Sequence, residues 1–138
     1  MPKIIDFART TLIKADIGAS FSSIAKLMLK ENIGSIVITQ DDEIVGFVDE
    51  KILLRLISEG KNPNDLIMGK FVQKFPLIHL DTHLLDAWED VKDFPHERYG
   101  IINGEGKIMG IIRKRTINRF RYLIMKDEMH IEDDDFML

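Results

Sequence analysis

The chain writes one pattern twice. Residues 35–57 (SIVITQDDEIVGFVDEKILLRLI) lie without a gap over residues 99–121 (YGIINGEGKIMGIIRKRTINRFR), at an offset of 64 set by Gly46 and Gly110. At that offset Val37/Ile101, Ile38/Ile102, Ile44/Ile108, Val45/Met109, Phe47/Ile111, Val48/Ile112, Leu53/Ile117 and Leu56/Phe120 are all apolar pairs. Self-similarity of this kind marks a duplicated supersecondary unit, and each copy alone is too small to bury a comfortable core. Upstream, residues 12–16 (LIKAD) match 77–81 (LIHLD), and 4–8 faintly echo 64–68, so nearly all of the 138 residues belong to the two copies.

Each copy opens with a short β-prone run, 11–14 or 75–80, and passes into an amphipathic segment. In the first copy Ser20 suits a helix N-cap, Phe21, Ile24, Ala25, Met28 and Leu29 recur at helical spacing, and Asn32 with Gly34 supplies the stop. In the second, Thr82 or Asp81 caps a shorter helix with Leu84, Ala87, Trp88 and Val91 inward, broken at Pro95. Strands are predicted at 35–39 and 44–48, and at 100–103 and 108–112, with Asn103-Gly104-Glu105-Gly106 a strong hairpin signal. A second helix follows each hairpin, 50–58 stopped by Gly60, and about 114–125. The order β-α-β-β-α, twice, predicts an α/β (α+β) fold.

Hydrophobic residues make up 45% and charged residues 30%, and no apolar run approaches the roughly 20 residues that cross a bilayer. The first residues lack the long apolar stretch of a signal peptide, and a cytoplasmic location is expected. There is no cysteine, which removes disulfides, thiolate catalysis and cysteine zinc sites. The net charge of −4 argues against a dedicated nucleic-acid binder. The charge is uneven, however: Arg113, Lys114, Arg115, Arg119, Arg121 and Lys126 cluster in the second copy, followed by Glu128, Glu132, Asp133, Asp134 and Asp135.

An Asp6-Phe7 opening, an amphipathic helix ending Leu27-Met28, the Asn32-Ile33-Gly34-Ser35 entry into a hairpin, and Gly46 leading into a second helix resemble the cystathionine-β-synthase (CBS) domain. Two copies form a Bateman module. The resemblance covers about residues 3–125, as a first repeat at 3–60 and a second at 61–125, and leaves 126–138 as an acidic, flexible tail. It implies two repeats packed with pseudo-twofold symmetry, assembly into a homodimer, and a regulatory role toward a protein target that the sequence does not name. It also implies clefts for AMP, ADP, ATP or S-adenosylmethionine. In the family's ligand motif, Gly-h-h-[Ser/Thr]-x-x-[Asp/Asn] with h apolar, hydroxyl and helix N-terminus meet phosphate and the last carboxylate takes the ribose.

Both copies depart from that motif. The first reads Gly46-Phe47-Val48-Asp49-Glu50-Lys51-Ile52, with two carboxylates where phosphate would lie and no ribose acceptor, so Asp49 reads as a helix N-cap and Ile52 as core. The second reads Gly110-Ile111-Ile112-Arg113-Lys114-Arg115-Thr116, where Arg113 can grip phosphate in bidentate fashion and Thr116 keeps a hydroxyl at the ribose position. The expected ligand site is therefore Tyr99, Gly100, Ile101, Gly110, Arg113 and Thr116. Against it stands the reading of the basic residues as a solvated helix face.

The function this supports is a stand-alone sensor of an adenosine-containing or other anionic small molecule, acting through the second repeat. The alternative is a ligand-free scaffold for dimerisation or protein interaction. No nucleophile with a neighbouring base and no Gly-x-x-x-x-Gly-Lys loop is present, so neither catalytic nor metal-binding residues are assigned and a non-enzyme is expected. His79, Asp81 and His83 alternate as metal ligands might on a strand, but the chain turns into its helix there. Trp88 reads as core, and Tyr99, placed at the position of Ser35, as the better stacking residue. The tail reads as disordered, or else as folding over the basic patch in competition with an anionic ligand.

Overall fold

The computed structural model describes residues 2–129, and these fall into two compact units. One is Leu12–Phe75; the other joins the chain up to Thr11 with the chain from Pro76 onward. The first contains β1 (Lys14–Asp16), α1 (Phe21–Glu31), β2 (Ser35–Gln40), β3 (Glu43–Asp49) and α2 (Glu50–Ser58). The second contains β4 (Leu77–His79), α3 (Leu84–Val91), β5 (Arg98–Ile102), β6 (Ile108–Arg113) and α4 (Lys114–Met129). Each has a three-stranded sheet, ordered β1-β2-β3 and β4-β5-β6, with the outer pair parallel and the hairpin antiparallel.

Helical and strand periodicity converge on one core per unit. Phe21, Ile24 and Met28 of α1 meet Ile36 and Ile38 of β2, Val48 of β3, and Leu53 and Leu56 of α2. The counterpart gathers Ile78, Leu84, Ala87, Val91, Tyr99, Ile101, Ile112 and Ile117, with Ile4 from the N-terminal segment. β2 is buried along Ser35, Ile36, Val37 and Ile38, which is why it reads as a continuous apolar run rather than an alternating one.

A segment preceding each repeat in sequence is built into the unit of the other repeat. After a short 3-10 turn, Ile4–Phe7 or Met68–Phe71, the chain bridges the outer edge of a hairpin. Arg9 exchanges both backbone hydrogen bonds with Ile111 (2.9 and 2.9 Å), and Gln73 does the same with Phe47 (2.8 and 2.9 Å). These bridges satisfy edge N–H and C=O groups that would otherwise be left open.

The structure also corrects the repeat alignment. The hairpins pair Ile36 with Val48 and Tyr99 with Ile112, so strands before the turn correspond at an offset of 63 and those after it at 64. The extra residue lies in the turn. Asp41 and Asp42, both at positive φ (51° and 65°), close the first hairpin in two residues. In the second, Asn103 N–H donates to the Lys107 carbonyl across three residues, with Gly106 at φ 80°. Tyr99 therefore occupies the place of Ile36, not Ser35, and LIKAD does not overlay LIHLD: β1 and β4 correspond at 63, Lys14 with Leu77.

Other local corrections are small. Leu29 is 83% exposed, on the outer face of α1. The N-cap of α3 is His83, whose Nδ1 accepts from Leu85 N–H at 3.3 Å, rather than Thr82 or Asp81. β1 begins at Lys14, three residues later than expected, and α4 continues through Met129, so residues 126–129 of the expected tail are helical. The remainder of that tail, with its contact to the basic patch, lies outside the described residues.

Candidate ligand cavity

Ser20 and Asp49 show how the first repeat closes its helices. Ser20 Oγ accepts from Ser23 N–H at 3.1 Å, and Asp49 Oδ1 accepts from Ile52 N–H at 3.1 Å. Asp49 is 92% buried in that role, and Ile52 packs against the core. Both are structural uses of residues that stand where the ligand motif would have its hydroxyl and its acid.

At the corresponding place in the second repeat, Arg113 has no acceptor atom and cannot cap α4. Glu97 meets the start of this helix twice, and its backbone bond has a counterpart in the first repeat, where Glu50 N–H donates to the Gly34 carbonyl at 3.0 Å. The Glu97 backbone carbonyl accepts from Lys114 N–H at 2.7 Å, and its carboxylate accepts from Arg113 Nε at 3.2 Å. Lys114 Nζ reaches back to the Phe94 carbonyl. Thr116 sits in the first turn of α4, half-buried.

The same repeat holds a cavity of about 230 Å³ lined by Pro76, Leu77, Ile78, His79, Thr82, Asp90, Val91, Phe94 and Tyr99, which Arg113 and Thr116 do not line. It draws on β4, the end of α3 and the start of β5. Pro76 accepts from Gly100 N–H at 2.9 Å, which holds the head of β4 against β5. The walls are mainly apolar, and the polar groups are few, as in small-molecule sites generally.

Of the six residues expected from sequence, Tyr99 lines this cavity. It is only 3% exposed, and its hydroxyl is buried without a hydrogen-bond partner. Burial, and secondarily the Glu97 charge, push its phenol above the usual tyrosine range. Gly100 and Ile101 are buried in β5, in register with Leu77 and Ile78. Gly110 serves a different need: a Cβ there would lie 3.1 Å from the Arg9 carbonyl, so the glycine admits the bridging segment.

Sequence reasoning missed Asp90, Phe94 and Pro76 as cavity residues, because they come from a helix end and two loops with no shared period. His79 and Thr82 stood out for other reasons. His79 Nδ1 accepts from Asp81 N–H at 3.2 Å, and Asp81 pairs with Lys3 at 2.9 Å, which lowers the Asp81 carboxyl and raises the Lys3 ammonium through their hydrogen bond. Among the described residues no group of three or more His, Asp or Glu is placed to hold a metal ion. Trp88 is half-buried against the core, with the Arg121 guanidinium 5.0 Å above its ring, and that guanidinium forks onto Asn118 Oδ1 at 3.0 and 2.7 Å.

Comparison with known proteins agrees with this fold. Residues 4–59 match the CBS domain family model. A CBS domain protein of Pyrobaculum aerophilum, solved in complex with AMP, superposes with a TM-score of 0.77 over 93% of this chain and 99% of its own, at 14% identity. The chain folds as a CBS-domain pair. A conserved CBS domain protein of Thermoplasma acidophilum gives a TM-score of 0.75 at 16% identity, covering 86% of this chain and 68% of its own. A CBS-domain pair in complex with 5′-methylthioadenosine and S-adenosyl-L-methionine gives 0.74 at 15% identity, covering 90% and 98%. In sequence, an uncharacterized protein of Methanopyrus kandleri is 28% identical over 116 residues, and the chain spans 59% of its length. Among the described residues no helix of this CBS pair is long and apolar enough to cross a membrane.

Proposed function

We propose that this CBS pair is a regulatory, non-catalytic module that binds one adenosine-containing small molecule through its second repeat. The carrying observation is the mainly apolar cavity that β4, the end of α3 and Tyr99 line in the second repeat. The volume, about 230 Å³, falls below the roughly 300–1,000 Å³ of drug-sized sites and suits a base rather than a whole nucleotide. Phosphate would then extend toward Arg113 and the start of α4. That fold relatives are complexed with AMP and with S-adenosyl-L-methionine supports the adenosine class.

The first repeat contributes no second site on this reading, because Asp49 is committed to its helix. The module acts as a homodimer on a protein whose activity it adjusts. Thermal-shift measurements with AMP, ADP, ATP, S-adenosylmethionine and inorganic phosphate test the reading, since saturation at a hundred times Kd adds about 2.7 kcal/mol to the native state. The expected result is a shift that Leu77→Trp, which fills the cavity from an exposed position, removes. No shift with any of these ligands would favour the scaffold reading instead.

A further inference from the structure

α1 and α3 occupy equivalent places in the two repeats. Their N-caps, Ser20 and His83, are 63 residues apart, the same offset as the strands on either side. Phe21, Ile24 and Met28 on the buried face of α1 thus answer Leu84, Ala87 and Val91 on that of α3. On the outer face the same offset sets Ser23 over Asp86, Lys26 over Glu89 and Lys30 over Asp93, the last in the turn that leaves α3, and all six are exposed. The spacing makes each set one stripe. Its charge is reversed between the repeats: two cations on the first, three carboxylates on the second. Neighbours soften each stripe without changing its sign, since Glu31 stands beside the cations and Lys92 pairs with Glu89 at 2.6 Å. The outer positions of α2 and α4 do not distinguish the repeats in this way, because Lys51 and Arg55 answer Arg115 and Arg119.

Resting on the homodimer reading, we infer that the α1 stripe of one copy docks against the α3 stripe of a second copy, so that unlike repeats meet and like repeats do not. Two first repeats brought together at these stripes would set Lys26 and Lys30 against their own counterparts, and two second repeats would do the same with Asp86, Glu89 and Asp93. Either juxtaposition is penalised, whereas the unlike one is attractive. Single exposed ion pairs add little affinity, so the stripes choose the arrangement more than they strengthen it. Leu29, 83% exposed beside the cations, and Phe94, 55% exposed beside Asp93, add apolar area to the same contact. The contact is heterologous, one patch on each copy meeting a different patch on the other.

The test is sedimentation equilibrium of the full chain at low and high salt, with Lys26→Glu/Lys30→Glu, with Glu89→Lys/Asp93→Lys, and with all four substitutions in one chain. The wild type should self-associate, each double reversal should weaken association by about tenfold or more at low salt, and the four together should restore it to within about threefold. High salt should shrink the losses, because exposed charges are screened. The fourfold chain also guards against misfolding, since a folding defect caused by one reversal is not cured by adding the other. If the wild type associates and both reversals associate as tightly, the stripes do not meet and the inference is refuted, while the homodimer reading stands. If the reversals weaken association but the fourfold chain does not recover, pairing of α1 with α3 is refuted in the same way. If the wild type is a monomer at every concentration, the homodimer reading falls and the inference with it.

Discussion

A Cβ on Gly46 would lie 2.1 Å from the Gln73 carbonyl oxygen, whereas one on Gly110 would lie 3.1 Å from the Arg9 carbonyl oxygen. The two glycines are equivalents, each facing the segment that bridges its hairpin. Only Gly46 also has a backbone conformation that side chains rarely adopt, at φ +154°. Gly46→Ala must therefore displace the bridge and break the Phe47–Gln73 pair, and should cost about 3 kcal/mol or more. Gly110→Ala needs a shift of only tenths of an ångström and should cost about 1 kcal/mol. Urea unfolding of both variants decides it; equal losses would mean the bridges do not set the glycine requirement.

Much of this fold can be read from the pattern of apolar residues. The repeat, the helix at Glu50–Ser58 with its Asp49 cap, and the Ser20 cap follow from short-range signals that the structure bears out. Both hairpin turns were legible, but the extra residue in the second was not, because β2 and β5 are buried along most of their length and such continuous runs, unlike alternating ones, overlay equally well after a one-residue shift. That residue matters, since it moves Tyr99 from the position of Ser35 to that of Ile36. The bridging segments were illegible for a related reason: their hydrogen bonds are backbone pairs across dozens of residues, with no periodicity to announce them. The cavity assembles from Pro76, Asp90, Phe94 and Tyr99, which no local spacing connects.

Asp49→Ala tests whether that carboxylate is only a cap. It should lower stability by about 1 kcal/mol, the usual loss for an N-cap, and leave adenosine affinity within twofold. Chemical denaturation and calorimetry on one preparation give both numbers. A large change in affinity would return the first repeat to the list of ligand sites.

Arg113→Ala should matter little for stability, under about 1 kcal/mol, because its pair with Glu97 is a third exposed on each side and screened by water. Its effect should fall on phosphate instead. AMP should lose about tenfold in affinity while adenosine changes less than threefold, and the AMP preference should fade with added salt. Equal losses for both ligands would place Arg113 away from the phosphate.

Alkaline pH offers a way to watch Tyr99 directly, since Tyr122 is the chain's only other tyrosine and Tyr122→Phe isolates its signal. Burial raises the folded-state value of Tyr99 above its ordinary 10.0. An unfolded chain then loses that proton first, so the stabilising contribution of the protonated phenol is complete below about 10 and is lost as pH rises through the folded value. Between the two values each pH unit removes about 1.4 kcal/mol. Near-ultraviolet titration of Tyr122→Phe should show a midpoint above 10, and its stability should fall on the alkaline side more steeply than that of Tyr99→Phe. Equal alkaline losses in the two variants would show that burial does not hold this phenol protonated.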